Sequence, residues 1–169
     1  MLILKIIIYI AIFTSSSYVG ILFSRKYTNR VNELKDFKNA FNIFKTKLKY
    51  TYAPLDEIFM DISKSVRGTV GLTFLDICNN MKLQNATDSF NNAIDTVNLD
   101  LTVEDKETIK NLSKLLGKTD IEGQLSQIDL TLSFLNIQIE KAEKEKEKNE
   151  KLYKTLGIIT GLGIVIILM

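Results

Sequence analysis

Two apolar runs set the limits on what this chain can become. The first, LILKIIIYIAIFTSSSYVGILF, extends from Leu2 to Phe23 with Lys5 as its single charge, and the second, TLGIITGLGIVIILM, extends from Thr155 to Met169 with none. A helix needs about 20 apolar residues to cross the hydrocarbon of a bilayer. The first run meets that length. The second reaches roughly 22 Å as a helix, and Leu152 and Tyr153 lengthen it if the Lys154 amine extends toward the headgroups. It is apolar around its whole circumference, so it has no polar face to turn away from a water-soluble core. Both runs are expected to be transmembrane, over residues 1–24 and 153–169. For the first, a cleaved secretory signal is the rival, with Lys5 as the charged region, IIIYIAIF as the apolar region and TSSS as the cleavage zone. Apolar character resumes from Tyr18 to Phe23 and SRKYTNR follows, which fits a stop on an uncleaved anchor.

Cations near the span ends give the orientation. Arg25, Lys26 and Arg30 follow the first span, and Lys144, Lys146, Lys148, Lys151 and Lys154 precede the second; Lys5 stands alone on the other side. The expected topology puts the middle of the chain in the cytoplasm and both termini outside. Small residues recur in both spans, Ser16 and Gly20 in the first, Gly157 and Gly161 in the second. Such residues let two helix backbones approach closely, so the spans are candidates for an antiparallel pair. The alternative is that glycine is simply common in membrane helices.

Residues 25–152 carry helical spacing and no sustained alternation of the kind a half-buried strand needs. The expected fold is all-α, an antiparallel helical bundle in which two long helices continue into the spans and short helices lie between them. Val31, Leu34, Phe37, Phe41, Phe44 and Leu48 extend the first helix to about Tyr50. Pro54, with Asp56 and Glu57 behind it, opens a second helix whose apolar face is Leu55, Ile58, Phe59 and Ile62. Gly68 and Gly71 are read as bracketing a turn before a helix with Phe74, Leu75, Cys78 and Met81 on one side. Thr87 is expected to cap a helix carrying Phe90, Ala93, Ile94 and Val97. Thr102 and Asp105 have capping-box spacing before a helix through Ile109, Leu112, Leu115 and Leu116, stopped by Gly117. Thr119 and Glu122 have the same spacing before Ile121, Leu125, Ile128, Leu132, Leu135, Ile139 and Ala142, a seam with no breaker before Gly157. The run EKEKEKNEK reads as a charged stalk supported by Glu140–Lys144, Glu147–Lys151 and Glu150–Lys154 pairs, and its lysines are compatible with solvent and with anionic lipid alike.

The chemistry available is narrow. Histidine is absent and there is one cysteine, which removes a disulfide framework, the usual zinc sites and His-activated nucleophiles. The 22 Lys and Arg nearly balance the 20 Asp and Glu, so no bulk positive field points to nucleic acid. Gly68, Gly71, Gly117 and Gly123 are scattered and form no phosphate loop, and the carboxylates sit at helix starts or on exposed faces. The expectation is a non-enzymatic protein with no cofactor, no metal and no small-molecule substrate.

Four segments carry a resemblance: FSRKYTNR, APLDEIF, LGKTDIEGQ and KLYKTLGIITGLGIVIILM. With the LGxxDxxxQ spacing at Leu116, Gly117, Asp120 and Gln124, the whole chain resembles the stage III sporulation protein AB family of endospore-forming bacteria. That resemblance implies a cytoplasmic domain like that of type II secretion F proteins, here in a single copy. It implies a place in the channel complex of the mother-cell membrane around the forespore, with a cytosolic ATPase, stage III sporulation protein AA, as partner. By the same analogy the partner interface falls at Pro54, Leu55, Leu116, Gly117, Asp120 and Gln124, where a helix stop and a helix start are the plainer account of Gly117 and Asp120. The alternative function is an ATPase-independent anchored coiled coil that forms homo-oligomers and organises the envelope.

Overall fold

The computed structural model describes residues 2–51, 53–116 and 120–168. Among them are α1 (Leu2–Tyr50), α2 (Leu55–Ser65), α3 (Gly68–Asn80), α4 (Ala86–Thr96), α5 (Val103–Lys110), a 3-10 turn (Asn111–Leu115) and α6 (Ile121–Leu168). No strand occurs among the described residues, and the all-α expectation holds. The chain divides into two compact units, one formed by Met1–Val31 with Lys141–Met169, the other by Asn32–Glu140.

The unit Asn32–Glu140 is built around phenylalanine. The α1 seam places Leu34, Phe37, Phe41 and Phe44 at full burial, because steps of three and four keep them on one helix face. Phe59 of α2 sits among three rings, with centroids 5.3 Å from Phe44, 5.7 Å from Phe74 and 6.3 Å from Phe90. Tilted contacts at these separations suit the ring quadrupole and add to the area removed from water. α6 closes the core with Ile128, Leu135 and Ile139, while Ile121, Leu125 and Leu132 are only half-buried.

The helix ends show which local signals won. Pro54 is the N-cap of α2, extended at ψ 152°, with Asp56 and Glu57 in the first turn. Thr102 and Asp105 form the expected capping box of α5. The helix expected to run on through Leu116 instead tightens to 3-10 from Asn111, held by Ser113 Oγ donating to Lys110 O. The cap of α4 is Asn85, whose side chain accepts from the Asp88 N–H. Thr87 lies inside that helix and donates to Ser113 O at 3.0 Å, tying α4 to the 3-10 turn. Thr119 lies outside the described residues; at the start of α6 it is Asp120 Oδ1 that accepts from the Gly123 N–H at 2.9 Å.

Gly68 and Gly71 belong to α3 rather than bracketing a turn before it. Gly68 has φ 72°, a conformation that L side chains avoid, and it reverses the chain after Val66. At Gly71 a Cβ would stand 2.0 Å from Val66 O, so glycine is what allows α2 and α3 to join so closely. The resulting rotation buries Val70, Phe74, Ile77 and Cys78 and leaves Leu75 exposed and Met81 half-buried.

In the other unit, α1 and α6 each contain a stretch long and apolar enough to cross a membrane. Ile6, Ile7, Ile8, Ile10, Val19 and Leu22 on α1, with Ile158, Ile159, Leu162 and Ile166 on α6, are exposed.

Candidate functional site

The sequence singles out two sets of residues, one in each unit. In Asn32–Glu140, Lys45 Nζ lies 2.5 Å from Asp129 Oδ1. Lys45 is near the end of α1 and Asp129 near the start of α6, so the turn into α2 and the turn into α6 lie toward one end of this unit. Pro54 is exposed and Leu55 half-buried in the first turn; Leu116 is buried, Asp120 exposed and Gln124 half-buried in the second. Gly117 lies outside the described residues. Gln127 Nε2 donates to Asn111 O at 2.8 Å and fastens the 3-10 turn to α6. Beside the first turn, an open cleft of about 600 Å³ runs between α2 and α3, with Met60, Cys78 and Met81 among Asp56, Lys64 and Lys82. The Cys78 thiol is pushed up by burial, which disfavours the thiolate, the reactive form. No group of three or more metal-ligating side chains occurs among the described residues.

At the start of the same unit, Glu33 is buried and accepts the Asp100 N–H at 2.7 Å, holding the α4–α5 connection against α1. Burial raises its carboxyl to about 7, and the nearby charges of Asp100 and Asp36 act in the same sense; the Asp100 N–H and Lys106 oppose. Asp61 goes the other way, held below the usual carboxylate range by its ion pair with Lys47.

In the other unit, α1 and α6 run antiparallel. Tyr9 Oη donates to Leu168 O at 2.9 Å, and Ser16 Oγ donates to Gly157 O at 2.9 Å. A Cβ on Gly20 would meet Tyr153 O at 2.6 Å and Gly157 Cα at 3.0 Å; a Cβ on Gly157 would meet Gly20 Cα and Ser16 O at 3.0 Å. A Cβ on Gly161 would stand 3.2 Å from Ser16 Cβ, whereas one on Gly163 meets nothing within 4 Å. The structure thus brings Ser16, Gly20, Gly157 and Gly161 into one contact line. Tyr153 stacks between Phe23 and Tyr27, with centroids at 6.0 and 5.8 Å. Beyond it, Arg30 is buried and pairs with Glu145 at 2.6 Å, and Thr28 donates to Glu150 at 3.4 Å. Of the expected helix-surface pairs, Glu150–Lys154 is present at 2.6 Å.

Two features escaped the sequence reading. One is the Arg30–Glu145 pair, since a cation after an apolar run is read first as a membrane flank. The other is an exposed apolar stripe on α6, Leu130, Phe134 and Ile137, with exposures of 50%, 44% and 50%. Its steps of four and three were legible, but they repeat the spacing of the buried seam on the same helix.

Residues 5–169 match the family model described as stage III sporulation protein AB. A curated relative, stage III sporulation protein AB of Bacillus subtilis (strain 168), is 26% identical over 172 residues, covering 98% of this chain and 99% of its own. A solved structure titled stage III sporulation protein AB superposes with a TM-score of 0.64 at 20% identity, over 71% of this chain and 98% of that one. At that identity the likeness speaks for the fold.

Proposed function

The chain belongs to the stage III sporulation protein AB family, and on that premise we propose that it is a non-enzymatic membrane platform of a sporulation complex. Two spans anchor it, the helical unit Asn32–Glu140 faces the cytoplasm, and that unit couples a cytosolic ATPase of the stage III sporulation protein AA type to membrane components. The observation that carries the reading is the contrast in exposed surface. The ends present isoleucine, leucine and valine outward along two helices, a surface that water disfavours and hydrocarbon accepts, while the middle buries a complete aromatic core of its own. The cations flanking the apolar stretches support a cytoplasmic middle. The ATPase contact is proposed for the end of the unit that carries Pro54, Leu55, Leu116, Asp120 and Gln124. The mother-cell membrane around the forespore is proposed by resemblance to the family.

Affinity purification of the tagged chain from sporulating cells tests this. The ATPase is expected to co-purify and to be lost in a Leu55→Asp/Asp120→Lys variant that keeps its helicity; retention of the ATPase by that variant would move the interface elsewhere. A second reading, self-association without an ATPase, is favoured by the Leu130–Phe134–Ile137 stripe. Phe134→Asp distinguishes the two, because it would abolish oligomers in the second reading and leave ATPase binding intact in the first.

A further inference from the structure

We propose that the face of α6 around Lys148 and Lys151 binds the headgroup of an anionic phospholipid, with an acyl chain against Leu152 and Leu156. Glu147, Lys148, Lys151, Leu152, Thr155 and Leu156 line one shallow open groove. Its upper part is charged and its lower part apolar, with Leu152 and Leu156 both about half exposed. Ammonium groups, a hydroxyl and leucine follow one another at helical steps of three and four, the order in which a phospholipid presents phosphate, ester and chain.

The neighbouring carboxylates are already engaged. Glu150 holds Lys154 and Thr28, and Glu145 holds Arg30. Among the described residues Lys148 and Lys151 make no ion pair. Against them stands Glu147, so the groove carries one net positive charge, the complement of a single phosphodiester. The depth is right as well: the aromatic stack of Phe23, Tyr27 and Tyr153 stands at the level of Leu152, and tyrosine favours the boundary between headgroups and hydrocarbon. A soluble partner would leave the leucines below the lysines unexplained, and the leucines by themselves would select no headgroup.

The site rests on the membrane reading above, and its test separates the two. The protein has no tryptophan, so Leu152→Trp places a single reporter in the groove of the full chain. Reconstituted in bilayers of phosphatidylcholine with brominated phosphatidylglycerol, the reporter is expected to be quenched as if that lipid were enriched about tenfold over brominated phosphatidylcholine at equal mole fraction. Lys148→Gln/Lys151→Gln should abolish the preference, Glu147→Gln should strengthen it, and Lys64→Gln/Lys82→Gln, the same charge change elsewhere, should leave it unaltered. Equal quenching by both lipids would overturn the site while keeping Leu152 in the membrane. Loss of the preference on adding soluble glycerol phosphate would overturn it in favour of a free-phosphate site, and quenching by neither lipid would remove the membrane reading and the site together.

Discussion

The two units draw on the same pair of helices and pack them in opposite ways. Within Asn32–Glu140 the interior is filled by six fully buried phenylalanines, large side chains that interlock across four helices. Within Met1–Val31 and Lys141–Met169 the contact depends on what is missing, the side chains of Gly20, Gly157 and Gly161, with Ser16 supplying a hydrogen bond across the gap. The difference teaches where each association finds its driving force. Burying a phenylalanine takes apolar area out of water, at about 25 cal/mol per Å². On the proposed membrane reading, a leucine leaving lipid for another leucine gains little of that kind, so the two end helices would associate through close backbone approach and hydrogen bonds.

The sharpest way to break the contrast is at Phe59, which touches three rings. Phe59→Ala should destabilise the Asn32–Glu140 unit by about 3–5 kcal/mol, read as a lowered urea midpoint of the full chain in detergent by near-ultraviolet circular dichroism. Glu33 sharpens it next, because a carboxylate is an expensive thing to bury in a water-driven core. Its folded value of about 7 lies above the ordinary carboxylate range, so the folded state holds the proton more tightly than the unfolded one. Stability should therefore fall by about 2–3 kcal/mol as pH rises from about 4.5 through 7. Glu33→Gln, which keeps an oxygen to accept the Asp100 N–H, should remove most of that dependence; an unchanged pH profile would show that the carboxylate is solvated.

The glycine contact provides an internal control. Gly157→Ala forces a methyl against Gly20 Cα and Ser16 O and should weaken the helix pair by about 1–3 kcal/mol, whereas Gly163→Ala should be silent. Disulfide formation between Ile12→Cys and Ile164→Cys, two positions that border one groove of the helix pair outside the glycine line, in a Cys78→Ser background reports the pairing: with the glycines unaltered it should form readily, in the Gly157→Ala version slowly, in the Gly163→Ala version at the original rate. The smallest effect is local. Asn85→Ala should cost about 1 kcal/mol by removing the α4 cap, while Thr87→Ala should leave the cap intact and loosen only the bond to Ser113.

The helices and most of their buried faces were legible because steps of three and four from Val31 to Leu48 and from Ile128 to Ala142 leave one geometry open. The capping box at Thr102 and Asp105 was legible because both partners are local. The cap at Asn85 was not, since Thr87 two residues on satisfies the same rule. The need for glycine at Gly71 depends on where the Val66 carbonyl falls, and the burial of Glu33 depends on where the α4–α5 connection lands; neither is written in local sequence. In the apolar ends residue type pointed to Ser16, Gly20, Gly157 and Gly161, but the silence of Gly163 required coordinates.

The account stands or falls on which side of a membrane the aromatic unit lies. Single cysteines at exposed Lys64 and Leu83, introduced as Lys64→Cys and Leu83→Cys in a Cys78→Ser background, are to be labelled with an impermeant thiol reagent in intact cells and after lysis. Protection of both positions until lysis is the predicted result; labelling of either in intact cells would put the unit outside and contradict the platform.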